Sequence, residues 1–182
     1  MTTTTVRPMP TEPVPGSTHA VRMSLKPPSE TRGMVDGAWW PRSRDLTSEL
    51  PSLIAVLDEC WARITRVTVN VRMWPHIPAE VPTGSHILRV GWFDAEQDPA
   101  DLCLLSYHTG RWDLLVIPPE CEPARAAKLM AAAADVHNTQ SATALLADTD
   151  EDAYAVVGAS RVGDWDLEGG PHACGPVFPR AA

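Results

Sequence analysis

Hydrophobic positions recur at two different spacings along the middle of the chain, and the switches between them mark out its elements. Val21-Arg-Met-Ser-Leu25 alternates weakly and stops at Pro27-Pro28, which predicts a short strand at a sheet edge. Thr31 to Trp40 is a second extended stretch, weakened by Gly33 and Gly37. Pro41 ends it by disfavouring helical geometry in the residue before it. From Leu46 the period lengthens: Leu46, Leu50, Leu53, Ile54, Leu57 and Trp61 form the apolar stripe of an amphipathic helix. Thr47 or Ser48 is placed to cap it. That sets Pro51 in the first turn, where a missing N–H costs little, and Glu49 near the positive helix end.

Four strands are predicted next. Arg66 to Met73 alternates cleanly, with Val67, Val69, Val71 and Met73 on one face and Arg66, Thr68, Asn70 and Arg72 on the other. A proline-marked loop from Trp74 to Gly84 leads to a strand from His86 to Asp94, where Leu88, Val90 and Trp92 share a face. Leu102 to His108 and Trp112 to Ile117 flank Thr109-Gly110-Arg111, a tight hairpin signal. Pro118-Pro119 stops the sheet. Two helices close the pattern, Glu122 to Ala134 with Pro123 at its first position, and Ser141 to Ala147. Strand following strand without a helix between predicts an α+β fold. Its expected form is an antiparallel meander of five or six strands with two or three helices packed on one face. The core should lie between Leu50, Leu53, Ile54 and Leu57 on the helix and Val90 and Leu114 on the sheet, with Trp92 and Trp112 inside it. No fixed period of repetition runs through the chain.

Composition adds boundaries. The 182 residues are 44% hydrophobic, enough for one domain with appendages. The longest apolar runs, about six residues, cannot span a membrane, and Met1-Thr-Thr-Thr-Thr-Val-Arg-Pro8 has no apolar secretory core. The net charge of −8 is uneven. Residues 21–147 are nearly balanced, with twelve basic and fifteen acidic residues, whereas residues 148–182 carry two against seven. Residues 1–20, rich in Thr and Pro, and residues 148–182, acidic and then rich in Gly and Pro, read as disordered tails around a single domain over 21–147. Trp165 and Val156-Val157 are the apolar exceptions in the second tail. The whole-chain acidity argues against nucleic acid but says little about the domain's own surface.

The chemistry is sparse. Cys60, Cys103, Cys121 and Cys174 form no CxxC pair and nothing signals export. Reduced thiols in the cytoplasm are expected, with Cys103 in the core. The six histidines are scattered, so neither a metal nor a cofactor is expected. Asp94-Ala-Glu-Gln-Asp98 resembles half a calcium loop, but Pro99 and Leu105 stand where Gly and Glu are required, and a solvated turn fits better. Asp58-Glu59 is assigned to the outer face of the helix. No nucleophile or phosphate-loop frame surrounds Ser85, Ser160 or any glycine cluster. The densest candidate is Gly37-Ala-Trp-Trp-Pro-Arg-Ser-Arg-Asp45. Arg42 and Arg44 could grip an anion while Trp39 or Trp40 stacks on a ring, just ahead of a helix N-terminus with Asp45. The competing reading is a strand-to-helix loop whose tryptophans plug the core. The polar strand face of Arg66, Thr68, Asn70 and Arg72 either extends that surface or is simply solvated. For single-stranded nucleic acid it offers only Trp74 as a stacking ring.

Ser24-Leu-Lys-Pro-Pro28, Val35-Asp-Gly-Ala-Trp-Trp-Pro-Arg-Ser-Arg-Asp-Leu46, Val90-Gly-Trp-Phe-Asp94 and Gly110-Arg-Trp-Asp-Leu-Leu-Val116 together resemble a family of actinobacterial proteins of unknown function, over about residues 21–147. The resemblance implies a bacterial cytosolic setting and no reaction or catalytic residue. The expectation is therefore a non-enzymatic binding or regulatory domain. Its Trp39, Trp40, Arg42 and Arg44 surface would meet an anionic small molecule or a protein partner, away from membranes. The alternative is a small enzyme with a dispersed site of Arg42, Arg44 and Asp45, joined by His86 or His108.

Overall fold

Seven strands form one sheet in a computed structural model of the chain, which describes residues 20–27, 33–107 and 110–149. In chain order these are β1 (Met23–Leu25), β2 (Gly37–Trp39), β3 (Ile64–Asn70), β4 (Glu80–Pro82), β5 (Ile87–Phe93), β6 (Asp101–Ser106) and β7 (Gly110–Val116). Helix α1 (Leu46–Cys60) follows β2, and α2 (Pro123–Ala134) and α3 (residues 142–149) follow β7. The α+β class is as expected, but the sheet is mixed rather than an antiparallel meander. Its spatial order is β1-β2-β7-β6-β3-β5-β4, with β2 parallel to β7 and β3 parallel to β5. Three departures from chain order produce this. The β1–β2 pair is added beside β7 at one end, β6 pairs with β3 rather than with β5, and β4 lies outside β5 at the other end, within the stretch predicted as a proline-marked loop.

Helix α1 begins two or three residues earlier than the capping residues Thr47 and Ser48 predicted. Asp45 is the N-cap and accepts from the Thr47 amide, so Leu46 opens the helix and Pro51 lies inside it. There the proline removes the amide that would donate to the Thr47 carbonyl. The apolar stripe behaves as expected. Leu46, Leu50, Leu53, Ile54 and Leu57 are fully buried against Val67, Val69, Leu88, Val90, Leu102, Leu104, Leu114 and Val116. Each such side chain contributes about 1.5–3 kcal/mol of burial. Asp58 does not face outward. Its carboxylate accepts the Ile64 amide at 2.7 Å and fastens the helix end to β3.

The helices occupy both faces of the sheet, not one. A second core joins Val35, Ala38, Trp40, Leu115 and Ile117 to Ala126, Leu129 and Ala133 of α2 and Ala142 and Leu145 of α3. Alternation along β2 and β7 explains it: Trp39, Leu114 and Val116 point towards α1, while Ala38, Trp40, Leu115 and Ile117 point away. The β1–β2 pair is held close. Gly37 has φ +155°, and a Cβ there would lie 2.3 Å from the Ser24 carbonyl oxygen. Trp92 shares its strand face with Leu88 and Val90, but α1 does not cover it and it is 67% exposed, contrary to its expected core position. Trp112 is half-buried and stacks on Trp61. Cys103 is buried as expected. Strand β3 stops at Asn70 because its side-chain carbonyl turns back to accept the Arg72 amide. The predicted tails fall outside the described residues except at Ala20 and at residues 148–149, which complete α3.

Candidate functional site

The Trp-Trp-Pro-Arg-Ser-Arg-Asp segment is distributed around the β2–α1 junction. Trp39 is 1% exposed and stacks on Trp74 on the α1 side of the sheet. Trp40 points to the opposite core, under the Arg22 guanidinium, whose carbon lies 3.6 Å from the ring centroid. Arg22 also donates to the Trp40 and Pro41 carbonyls, at 3.1 and 2.6 Å. Arg42 donates to the Ala20 carbonyl at 3.3 Å. Arg44 forms a fork on Glu120 through two 2.9 Å bonds and reaches the Met73 carbonyl. The Glu120 hydrogen bond raises the Arg44 pKa, and the same bond holds the Glu120 carboxyl below its usual value. Asp45 is lowered chiefly by a hydrogen bond from the Ser48 hydroxyl, at 2.6 Å. The space beside Trp39, Trp40 and Arg42 is about 10 Å³, the room of one water. The two indoles thus serve different cores, and the polar groups of the segment close the chain around them.

The polar face of β3 divides in a similar way. Asn70 is buried, donating to the Asp94 carbonyl, and Arg72 pairs with Asp94 at 2.9 Å. Arg66 and Thr68 remain on the face itself. A bulge between Ile64 and Arg66 shapes its near end. Ile64 and Val67 both point into the α1 core, so the extra residue leaves Thr65 and Arg66 together on the other side. Strand pairing then aligns one row of side chains across the uncovered half of the sheet. Glu80 stands opposite Arg89, Arg89 opposite Arg66, Arg66 opposite Leu105, and Leu105 opposite Arg111. Among the described residues, the side chains of Glu80, Arg63, Arg66 and Arg89 have no ion pair or hydrogen bond. Two connected hollows lie over this row. One of about 440 Å³ is lined by Arg63, Thr65, Glu80, His86, Ile87, Arg89 and Tyr107. The other, of about 330 Å³, is lined by Thr65, Arg66, Arg89, Leu105 and Tyr107. Tyr107 is 78% exposed between them.

His86 reaches the groove wall but is spoken for. Its Nε2 bonds the Ile64 carbonyl, and its Nδ1 lies 2.9 Å from the Ser85 hydroxyl, 3.2 Å from the Thr83 hydroxyl and 3.6 Å from Asp58. The ring therefore ties the β4–β5 turn to the start of β3. His108 lies outside the described residues.

A model of the family of unknown function DUF5994 matches residues 22–133. The chain belongs to this family. No curated protein and no solved structure matches it. The DUF5994 region includes the Trp39–Asp45 segment and the whole row from Glu80 to Arg111, and stops short of α3. Among its described residues no group of three His, Cys, Asp or Glu is arranged to hold a metal ion, and no helix is long and apolar enough to cross a membrane.

Next to the groove the DUF5994 domain carries a buried acidic cluster that sequence patterns give no hint of. Asp101 is 7% exposed, and burial, then the neighbouring Asp113 carboxylate, push its pKa up to about 8. Hydrogen bonding with Asp113 adds to the upward shift, and Asp101 Oδ1 is buried without a hydrogen-bond partner. Asp113 also receives the Arg111 guanidinium at 2.7 and 2.8 Å, while its amide donates to Asp36. Burial raises the adjacent Cys103 thiol to about 12, so it stays protonated and inert as a nucleophile. Arg111 is thereby neutralised by Asp113. Among the described residues, the charges left without an ion pair on this face are those of Arg63, Arg66 and Arg89, with Glu80 as the one acid among them.

Proposed function

We propose that the domain is a non-enzymatic binding module of a cytosolic protein, taking an anionic ligand on the open sheet face at Arg66 and Arg89. The observation that carries this reading is their register: the two arginines stand directly opposite each other on adjacent parallel strands, with no counter-charge bonded to either. Like charges facing each other across a strand pair destabilise the fold. An anion between two guanidinium forks would offset this with charge-assisted hydrogen bonds. Expecting an anionic ligand from the sequence is retained, but its place moves. The Trp39, Trp40, Arg42, Arg44 and Asp45 group supports the junction, whereas the groove holds unpaired cations over a hollow of ligand size. The engagement of both His86 nitrogens favours binding over acid–base chemistry here.

Inorganic pyrophosphate at low ionic strength is a sufficient first probe. It should raise the melting temperature of the wild-type protein and leave an R66Q/R89Q variant unmoved. The ligand-free variant should melt at or above wild type, because the repulsion is gone. Equal shifts in both proteins, or no shift in wild type, would overturn the assignment.

A further inference from the structure

We infer that the groove recognises a zwitterion of the α-amino acid type with an apolar or aromatic side chain. This deepens the anion-binding reading and rests on it. The argument is the order of chemistry along the row. Across four neighbouring strands the side chains run carboxylate, guanidinium, guanidinium, aliphatic: Glu80, Arg89, Arg66, Leu105. Directly opposed residues on paired strands share a face, so all four present to the same side. At about 4.8 Å per strand, the row spans about 14 Å between its outer backbones. A ligand complementary to it carries a cationic donor at one end, an anion in the middle and an apolar group at the other.

Glu80 and Arg89 supply a second observation. They are opposite charges in direct register and line the same hollow, yet they make no ion pair. Each is thus available to a ligand, the acid to an ammonium and the base to a carboxylate. Arg66 completes the carboxylate clamp from the next strand. The apolar end has a floor and a wall: Leu105 lies in the row, and the ring of Tyr107, mostly exposed, borders both hollows. A planar side chain laid over Leu105 meets the Tyr107 ring, an arrangement aromatic pairs favour.

The test is a set of four probes on the full chain, measured by isothermal calorimetry. L-Phenylalanine carries all three groups, 3-phenylpropionate lacks the ammonium, phenethylamine lacks the carboxylate, and pyrophosphate is anion alone. Phenylalanine should bind at least about tenfold tighter than phenylpropionate, the scale of one charge-assisted contact. Glu80→Gln should abolish that advantage without weakening phenylpropionate, and Tyr107→Ala should weaken both aromatic acids but not pyrophosphate. If phenylpropionate and phenylalanine bind equally, or Glu80→Gln leaves their ratio unaltered, the zwitterion assignment is wrong although the arginine clamp stands. Binding of none of the four sinks both. A variant that fails to fold is recognised by its melting curve, and Glu80→Asp, which keeps the charge, should then restore the preference.

Discussion

Asp101→Asn is the substitution whose effect the structure specifies most fully. The Asp101 side chain is 8% exposed, and its proton is held up to a pKa of about 8, against about 3.9 for a free carboxyl. Between those values the folded state keeps a proton that the unfolded chain has released. The contribution to stability is therefore fully present below about pH 4 and falls as pH rises towards 8, at about 1.4 kcal/mol per pH unit. From pH 5 to pH 7 that amounts to about 3 kcal/mol, or about 10 °C in melting temperature for a domain of this size. Asparagine has no such proton to lose and keeps the size of the side chain. Urea or thermal denaturation of both proteins at whole pH steps from 5 to 9 measures the difference between them, cancelling every other titrating group. The variant should gain on wild type steadily up to pH 8 and then run parallel to it. A difference constant from pH 5 to pH 8.5 would show that Asp101 ionises freely and that its burial is misjudged.

Five further substitutions probe the frame. Trp39→Ala should cost about 3–5 kcal/mol in chemical denaturation, as expected for a buried indole, whereas Arg42→Ala should stay within about 0.5 kcal/mol of wild type. Comparable losses in the two would contradict their different placements. Gly37→Ala should destabilise by at least about 1–3 kcal/mol, because the new methyl would meet the Ser24 carbonyl. Amide exchange should locate the damage in β1 and β2. Asp45→Ala should cost about 1 kcal/mol as a lost helix cap, and Asp45→Ser should recover most of it.

What the chain reveals unaided depends on the range of the interaction. Helix α1 is written in six apolar residues at helical spacing, and β3, β5, β6 and β7 in alternation, since each depends only on near neighbours. Strand order is not local. Nothing in Gly37-Ala-Trp39 announces pairing with Leu114 to Val116, and that one parallel contact turns Trp40 and Leu115 towards a second core that draws α2 to the far face. Strand β4 is three residues long in a proline-rich stretch, too short to show a period. Trp92 has the right parity for the core but stands where α1 no longer covers the sheet. The site follows the same rule. Alternation puts Arg66 and Arg89 on polar faces, as it would for any solvated strand. Only the β3–β5 register sets them against each other, and only the bulge at Thr65 turns that edge into a hollow.

The consecutive tryptophans have a consequence for cooperativity. Trp39 belongs to the core beneath α1 and Trp40 to the core beneath α2 and α3, and the alternation from Leu114 to Ile117 beside them ties the same two hydrophobic bodies together. Neither body can loosen without pulling an indole out of the other. Two small cores on opposite sides of a thin sheet would ordinarily be free to melt in sequence, as separate subglobal units. Riveted in this way, the domain should unfold in one calorimetric transition, with equal calorimetric and van't Hoff enthalpies. Replacing Trp40 by alanine should lower the midpoint of that transition without dividing it, because β7 still joins the two cores.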